Sequence, residues 1–168
     1  MTTQLPQLAT AYIALGSNIG DREEHLRSAI TALNQIGNVT EISSFYETEP
    51  VGAIPQPDFL NAAVQLQTQQ KPEELLSALL RIEQQHGRDR TASPPKGPRK
   101  LDLDFLSYDG IVLETPTLTL PHPALEQRRF VLAPLAEIAP EWQHPVSGKT
   151  STQLLKELTD KDSAVRRI

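Results

Sequence analysis

The stretch Leu101-Asp102-Leu103-Asp104-Phe105-Leu106-Ser107-Tyr108-Asp109-Gly110 opens by alternating large apolar residues with carboxylates and ends on a dipeptide that favours tight turns. A strand period of two sends Leu101, Leu103 and Phe105 to one face and Asp102 and Asp104 to the other. Asp109-Gly110 predicts a two-residue hairpin turn, with Ile111 to Leu113 beginning a returning strand. This stretch decides the fold because it closes a series. Before it, Pro72 starts a helix whose Leu75, Leu76, Leu79, Leu80 and Ile82 form a broad apolar face ending near Gly87. Asn61 to Thr68 and Val39 to Tyr46 read as strands, and between them Pro50, Gly52, Pro55 and Pro57 stiffen a long loop. Earlier still, Asp21 and Glu24 make a capping box for a helix with Leu26, Ala29, Ile30 and Leu33 on one face and Gly37 at its end. Ala11 to Leu15 is an apolar strand closed by a Gly16-Ser17-Asn18 turn.

The order strand, helix, strand, strand, helix, strand predicts a ferredoxin-like α+β sandwich, with the helices on one face of a largely antiparallel sheet. After Pro121-His122-Pro123, a short helix is expected over Phe130 to Ile138 and another over Thr152 to Leu158, with a polar tail from Asp160 that frays. No interior stretch has linker composition, so residues 1–168 read as one domain with polar extensions at about 1–10 and 160–168.

A net charge of −5 argues against nucleic-acid binding through a basic surface. With no cysteine, disulfide staples and thiolate metal sites are excluded. No segment has membrane-spanning length and Met1 to Thr10 has no targeting pattern, so the cytoplasm is the expected location. Against this acidic background, Arg88, Arg90, Lys96, Arg99 and Lys100 crowd into one segment, either a local anion site or a solvated basic loop.

A bare Asp-x-Asp can be a solvated strand face. Here the basic cluster and a Gly97-Pro98-Arg99 turn immediately precede it, so cationic donors and hard oxygen ligands converge. Two adjacent carboxylates repel unless a cation lies between them, and magnesium prefers such oxygen ligands together with water and phosphate oxygens. Guanidinium groups bind the remaining phosphate oxygens bidentately. The combination points to a magnesium-dependent enzyme of phosphate transfer from ATP. No P-loop or protein-kinase motif is present. Gly16-Ser17-Asn18-Ile19-Gly20 fits neither glycine fingerprint and reads as a structural turn.

At this point the chain resembles the 6-hydroxymethyl-7,8-dihydropterin pyrophosphokinase family. The resemblance runs from about Ala11 to Pro140, through AYIALGSNIGDR, SSFYETEPVG, PDFLNAAV, RIEQQHGR, GPRKLDLDFL and LPHPALEQRRFVLAPLAEIAP. It implies a ferredoxin-like fold and transfer of the terminal diphosphate of ATP to the hydroxymethyl oxygen of the dihydropterin, releasing AMP, in folate biosynthesis. It further implies that Asp102 and Asp104 bind two magnesium ions, and that Arg88, Arg99, His122 and Arg128 contact phosphates. Arg90 would belong to a mobile active-site loop, making Arg88, Arg90, Arg99, Asp102 and Asp104 the catalytic set. Thr48, Val51, Phe59, Asn61 and Phe130 would bind the pterin, by stacking between aromatic rings and by reading its polar edge with an amide. Glu83, on the apolar stripe of its helix, reads as a group supporting the site. The chain departs from the family's pattern at Pro95-Lys96, where Arg-Trp is common, and at Phe59, where Tyr is common. The expected partners are the small-molecule substrates, acting on a monomer without nucleic acid or membrane. A nucleotide- or pterin-binding sensor and a metal-dependent nucleotide hydrolase are the alternatives.

Overall fold

The computed structural model describes residues 7–50, 54–87, 98–158 and 165–168. Strand β1 (Ala9–Ser17) leads into α1 (Arg22–Ile36), where Asp21 Oδ1 accepts the Glu24 N–H at 3.1 Å and caps the first turn. Strands β2 (Asn38–Ile42), β3 (Tyr46–Thr48) and β4 (Phe59–Thr68) follow, then α2 (Pro72–Gln85) and β5 (Asp102–Tyr108). Beyond them come β6 (Leu113–Glu114), β7 (Thr119–Leu120), a single 3-10 turn at Leu125–Gln127, α3 (Arg129–Ile138), α4 (Ser151–Glu157) and β8 (Val165–Arg167).

The main sheet runs β5-β1-β4-β3-β8, with β2 beside β3 on the same edge of β4, and all its pairings are antiparallel. The α+β class and the sheet read from the element order are those observed. Alternation along β1 puts Ile13 and Leu15 into a core with Leu26 and Leu33 of α1 and Leu75 and Leu79 of α2. The opposite parity carries Ala14 into a second core with Leu106, Val131, Leu132, Leu135 and Leu154. Helices therefore cover both faces, a correction to the one-face expectation: α3 and α4 form a layer that the six-element pattern does not contain.

Four other expectations change. The strand expected over 39–46 breaks into β2 and β3, because Ser43 turns inward, its backbone N–H bonding the Ala63 carbonyl and its hydroxyl accepting the Ala63 N–H. Gly16 lies within β1 rather than in a turn. Asp109 and Gly110 do turn, with φ of 49° and 68°, but the chain does not return along β5. The outer edge of β5 is already occupied, by Glu83 bonding the Leu103 N–H and by the His122 N–H bonding the Leu106 carbonyl, so β6 pairs with β7 instead. Finally, the polar tail does not fray at 165–167, where β8 pairs with β3.

Candidate active site

Three short residues make the floor of a cleft. On the face that α3 covers, Asp102, Gly16, Asn61 and Tyr46 stand opposite one another across β5, β1, β4 and β3, and the next row along is Asp104, Ala14 and Ala63. Glycine and alanine at these positions leave space above the sheet that longer side chains would fill. A Cβ on Gly16 would lie 2.9 Å from Asn61 Oδ1, so the floor is closed to even one methyl group. Regular alternation sends Leu103 and Phe105 into the first core and Leu106 into the second, which leaves Asp102 and Asp104 on the cleft side; the register shift between Tyr12 and Ile13 comes only beyond them.

The cleft is lined at one end by Arg99, Asp102, Asp104 and Arg128, and at the other by Thr48, Glu49, Phe59, Asn61, Phe130 and Val131. The first end is electrostatically loaded. Burial, and then repulsion from Asp102, raise the Asp104 carboxyl to about 7, against the partial relief given by Arg128 and Arg99. Arg99 Nη1 stands 3.2 Å from Asp102 Oδ2, and Arg128 Nη1 stands 3.9 Å from Asp104 Oδ2. His122 Nε2 is 3.9 Å from Asp104 Oδ1. Burial and Arg128 lower the His122 pKa, and its Nδ1 accepts the Ala124 N–H at 3.2 Å, so the neutral ring keeps a proton on Nε2 facing the carboxylates.

At the other end, Asn61 Nδ2 donates to Thr48 Oγ1 at 2.6 Å, which fixes the amide with its oxygen over Gly16. The guanidinium of Arg99 lies 5.9 Å from the centre of the Phe59 ring, and that of Arg128 lies 5.6 Å from Phe130. Each cation thus touches both a carboxylate and an aromatic ring, tying the two ends together.

Supporting contacts aim these side chains. Asn18 Oδ1 accepts the Arg99 N–H at 2.8 Å, while its Nδ2 donates to Gln56 and to the Pro57 carbonyl, so one buried amide holds both Arg99 and the approach to Phe59. Glu83, 2% exposed, reaches from α2 to the Leu103 N–H between the two aspartates. Among the sequence-selected residues, Arg99, Asp102, Asp104, Arg128, Thr48, Phe59, Asn61 and Phe130 line the cleft, and His122 stands at its carboxylate edge. Arg88, Arg90 and Val51, together with the loop from 91 to 97, lie outside the described residues. Sequence reasoning missed Gly16, Asn18 and Glu49. Only the register of three strands reveals the first, and only bonds spanning 38 to 81 positions reveal the second.

Two carboxylates on one face, one of them resisting ionisation, suit a hard divalent cation that takes its other ligands from water or substrate. Among the described residues no group of three or more His, Cys, Asp and Glu is placed to hold a metal by itself.

Residues 12–140 match the family described as 7,8-dihydro-6-hydroxymethylpterin-pyrophosphokinase (HPPK). The 2-amino-4-hydroxy-6-hydroxymethyldihydropteridine pyrophosphokinase of Bacillus subtilis is 47% identical over 145 residues, covering 85% of this chain and 86% of its own. The Synechocystis protein of the same name is 45% identical over 159 residues, 93% of this chain and 80% of its own. Among solved structures, wild-type Plasmodium falciparum HPPK-DHPS with pteroate superposes with a TM-score of 0.72 at 15% identity, over 93% of this chain and 43% of that longer one, a likeness of fold.

Proposed function

The chain belongs to the 7,8-dihydro-6-hydroxymethylpterin-pyrophosphokinase family, and from that premise we propose that its cleft carries diphosphate from ATP to the hydroxymethyl oxygen of 6-hydroxymethyl-7,8-dihydropterin, a step of folate biosynthesis. The protein is an enzyme, a pyrophosphokinase that uses ATP as co-substrate. The observation supporting this use of the cleft is its division: a carboxylate and guanidinium end adjoins an aromatic and amide end within one cavity.

In the reaction the acceptor oxygen forms a bond to the β-phosphorus, the bond from that phosphorus to the αβ-bridging oxygen breaks, and AMP leaves with that oxygen while the hydroxyl loses its proton. Asp102 and Asp104 would hold magnesium, two ions in this reading, and the metal supplies positive charge against the polyphosphate and the attacking hydroxyl. Arg99 and Arg128 exchange their carboxylate partners for phosphate oxygens, and His122 donates from Nε2. Phe59 and Phe130 flank the flat heterocycle, while Asn61, fixed by Thr48, reads its edge. Arg88, Arg90 and Val51 belong to the same proposal. So does action as a monomer in the cytoplasm without nucleic acid or membrane. No described helix is long and apolar enough to cross a membrane.

The test is magnesium binding and turnover in Asp102→Ala and Asp104→Ala. Both variants are expected to stay folded, to lose transfer and to bind magnesium-ATP less tightly. Near-wild-type turnover in either would contradict the metal assignment.

A further inference from the structure

The acceptor end of the cleft is held from behind by a residue that touches none of it. On β3, Tyr46 and Thr48 face the cleft side, where Tyr46 bonds Glu137 of α3 and Thr48 bonds Asn61. Glu47, between them, faces the other way, paired across the sheet with Leu60 of the first core. There it meets Arg22, the first residue of α1, whose Nη1 lies 3.0 Å from Glu47 Oε1. The same Nη1 donates to the Asp58 carbonyl at 3.0 Å, one residue before Phe59. One guanidinium therefore joins the segment carrying Thr48 to the segment carrying Phe59 and Asn61.

The pair is built for this. Arg22 and Glu47 are 29% and 26% exposed, so their attraction is less screened than that of a surface pair. Strand β3 is only three residues long, and its outer neighbour β8 adds a weaker tie, Arg166 to Glu47 at 3.3 Å with the arginine 72% exposed. A strand this short has few ladder bonds to define its position, so side-chain anchors count for more.

We propose that Arg22 is a positioning residue for the acceptor site, acting through Glu47 and the Asp58 carbonyl to set the spacing between Thr48 and Phe59. The proposal rests on the reading of that end as the pterin site. It requires Arg22→Ala to weaken the acceptor more than ATP, because Arg22 bonds the segments carrying Thr48 and Phe59 directly and reaches Arg99 only indirectly, through the Asn18 contacts and the Phe59 ring.

The experiment measures KM for the dihydropterin and for ATP, together with amide hydrogen exchange, in wild type, Arg22→Ala, Arg22→Lys and Glu47→Gln. Acceptor KM is expected to rise about tenfold in Arg22→Ala, with ATP KM changed less than about twofold. Arg22→Lys, which keeps the charge facing Glu47, should recover part of the loss. The amides of Thr48 and of Phe59 to Asn61 should exchange faster in Arg22→Ala. An unchanged acceptor KM with unchanged exchange overturns the proposal, as does an equal rise in both KM values, which marks general loss of fold. If wild type itself fails to turn over the pterin, the functional reading falls, and the exchange at Thr48 and Phe59 alone decides whether Arg22 sets the geometry.

Discussion

At the scale of single residues, the cleft depends on one missing methyl group and one raised carboxyl. Gly16 is extended in β1, so alanine is acceptable to the backbone there. The added Cβ would meet Asn61 Oδ1 at 2.9 Å and push the amide off Thr48. Gly16→Ala is therefore expected to keep its melting temperature within a few degrees while acceptor affinity falls roughly tenfold, the order of one hydrogen bond to a buried polar group. Calorimetric titration with pterin and with an ATP analogue checks this, and equal losses for both ligands would contradict it. For Asp104, the raised pKa of about 7 means that the folded state holds a proton which the unfolded chain, near 3.8, has already released. Its contribution to stability is therefore present below about pH 4 and is lost as pH rises through 7. Asp104→Asn should make the metal-free protein more heat-stable than wild type at pH 8, by a few degrees, with the difference shrinking at pH 5. On the proposed metal assignment, magnesium would have to displace that proton, so wild-type magnesium affinity is expected to increase between pH 6 and pH 8, with proton release detectable in buffers of different ionisation enthalpy. An affinity independent of pH would remove the crowding argument. The Asp-x-Asp pair was legible in the sequence because alternation alone puts both carboxylates on one face. Gly16 was not, because its reason is an atom 45 positions away on another strand.

At the scale of elements, apolar periodicity identified β1, α1, β4, α2, β5 and α3 nearly at their observed ends. What it could not see were breaks imposed by distant polar partners. The interruption between β2 and β3 is one: Ser44 donates its N–H to Glu137 of α3 at 2.7 Å, and the Tyr46 hydroxyl donates to the same carboxylate. Although burial opposes it, these bonds hold the Glu137 pKa below the usual carboxylate value, while burial first, and then the bond to Glu137, push Tyr46 up to about 12. Such a carboxylate stabilises the fold above its unfolded pKa and loses that contribution as pH falls through its lower folded value. Glu137→Ala leaves the buried Tyr46 hydroxyl without this acceptor, so a loss of about 1–3 kcal/mol is expected in urea unfolding at pH 7. The difference from wild type should narrow at acid pH, once the native carboxylate is itself protonated. A loss that did not depend on pH would point to packing rather than to the ionised network. The separate β6-β7 pair and the ordered β8 were hidden for a related reason, since each depends on which sheet edges are already occupied.

For the whole molecule, the six-element pattern supplies a sheet with one covered face, and the later helices convert the other face into a cleft. α3 begins over the adjacent rows of the sheet that hold Asn61 and Asp104, bringing Arg128 and Phe130 over residues contributed by β1, β3, β4 and β5. The division of the cleft is thus a product of topology: β5 sits at one edge of the sheet with the carboxylates, and β3 sits toward the other with Thr48. Motifs disclosed which residues belong together, while the order of the strands explains why they meet. The central claim is that both ends serve one transfer, and following the phosphorus by NMR tests it most directly. With magnesium, ATP and 6-hydroxymethyl-7,8-dihydropterin, the account predicts AMP and pterin diphosphate forming in equal amounts, and no nucleotide breakdown when the pterin is left out. Release of inorganic phosphate or diphosphate at a rate indifferent to the pterin would contradict it.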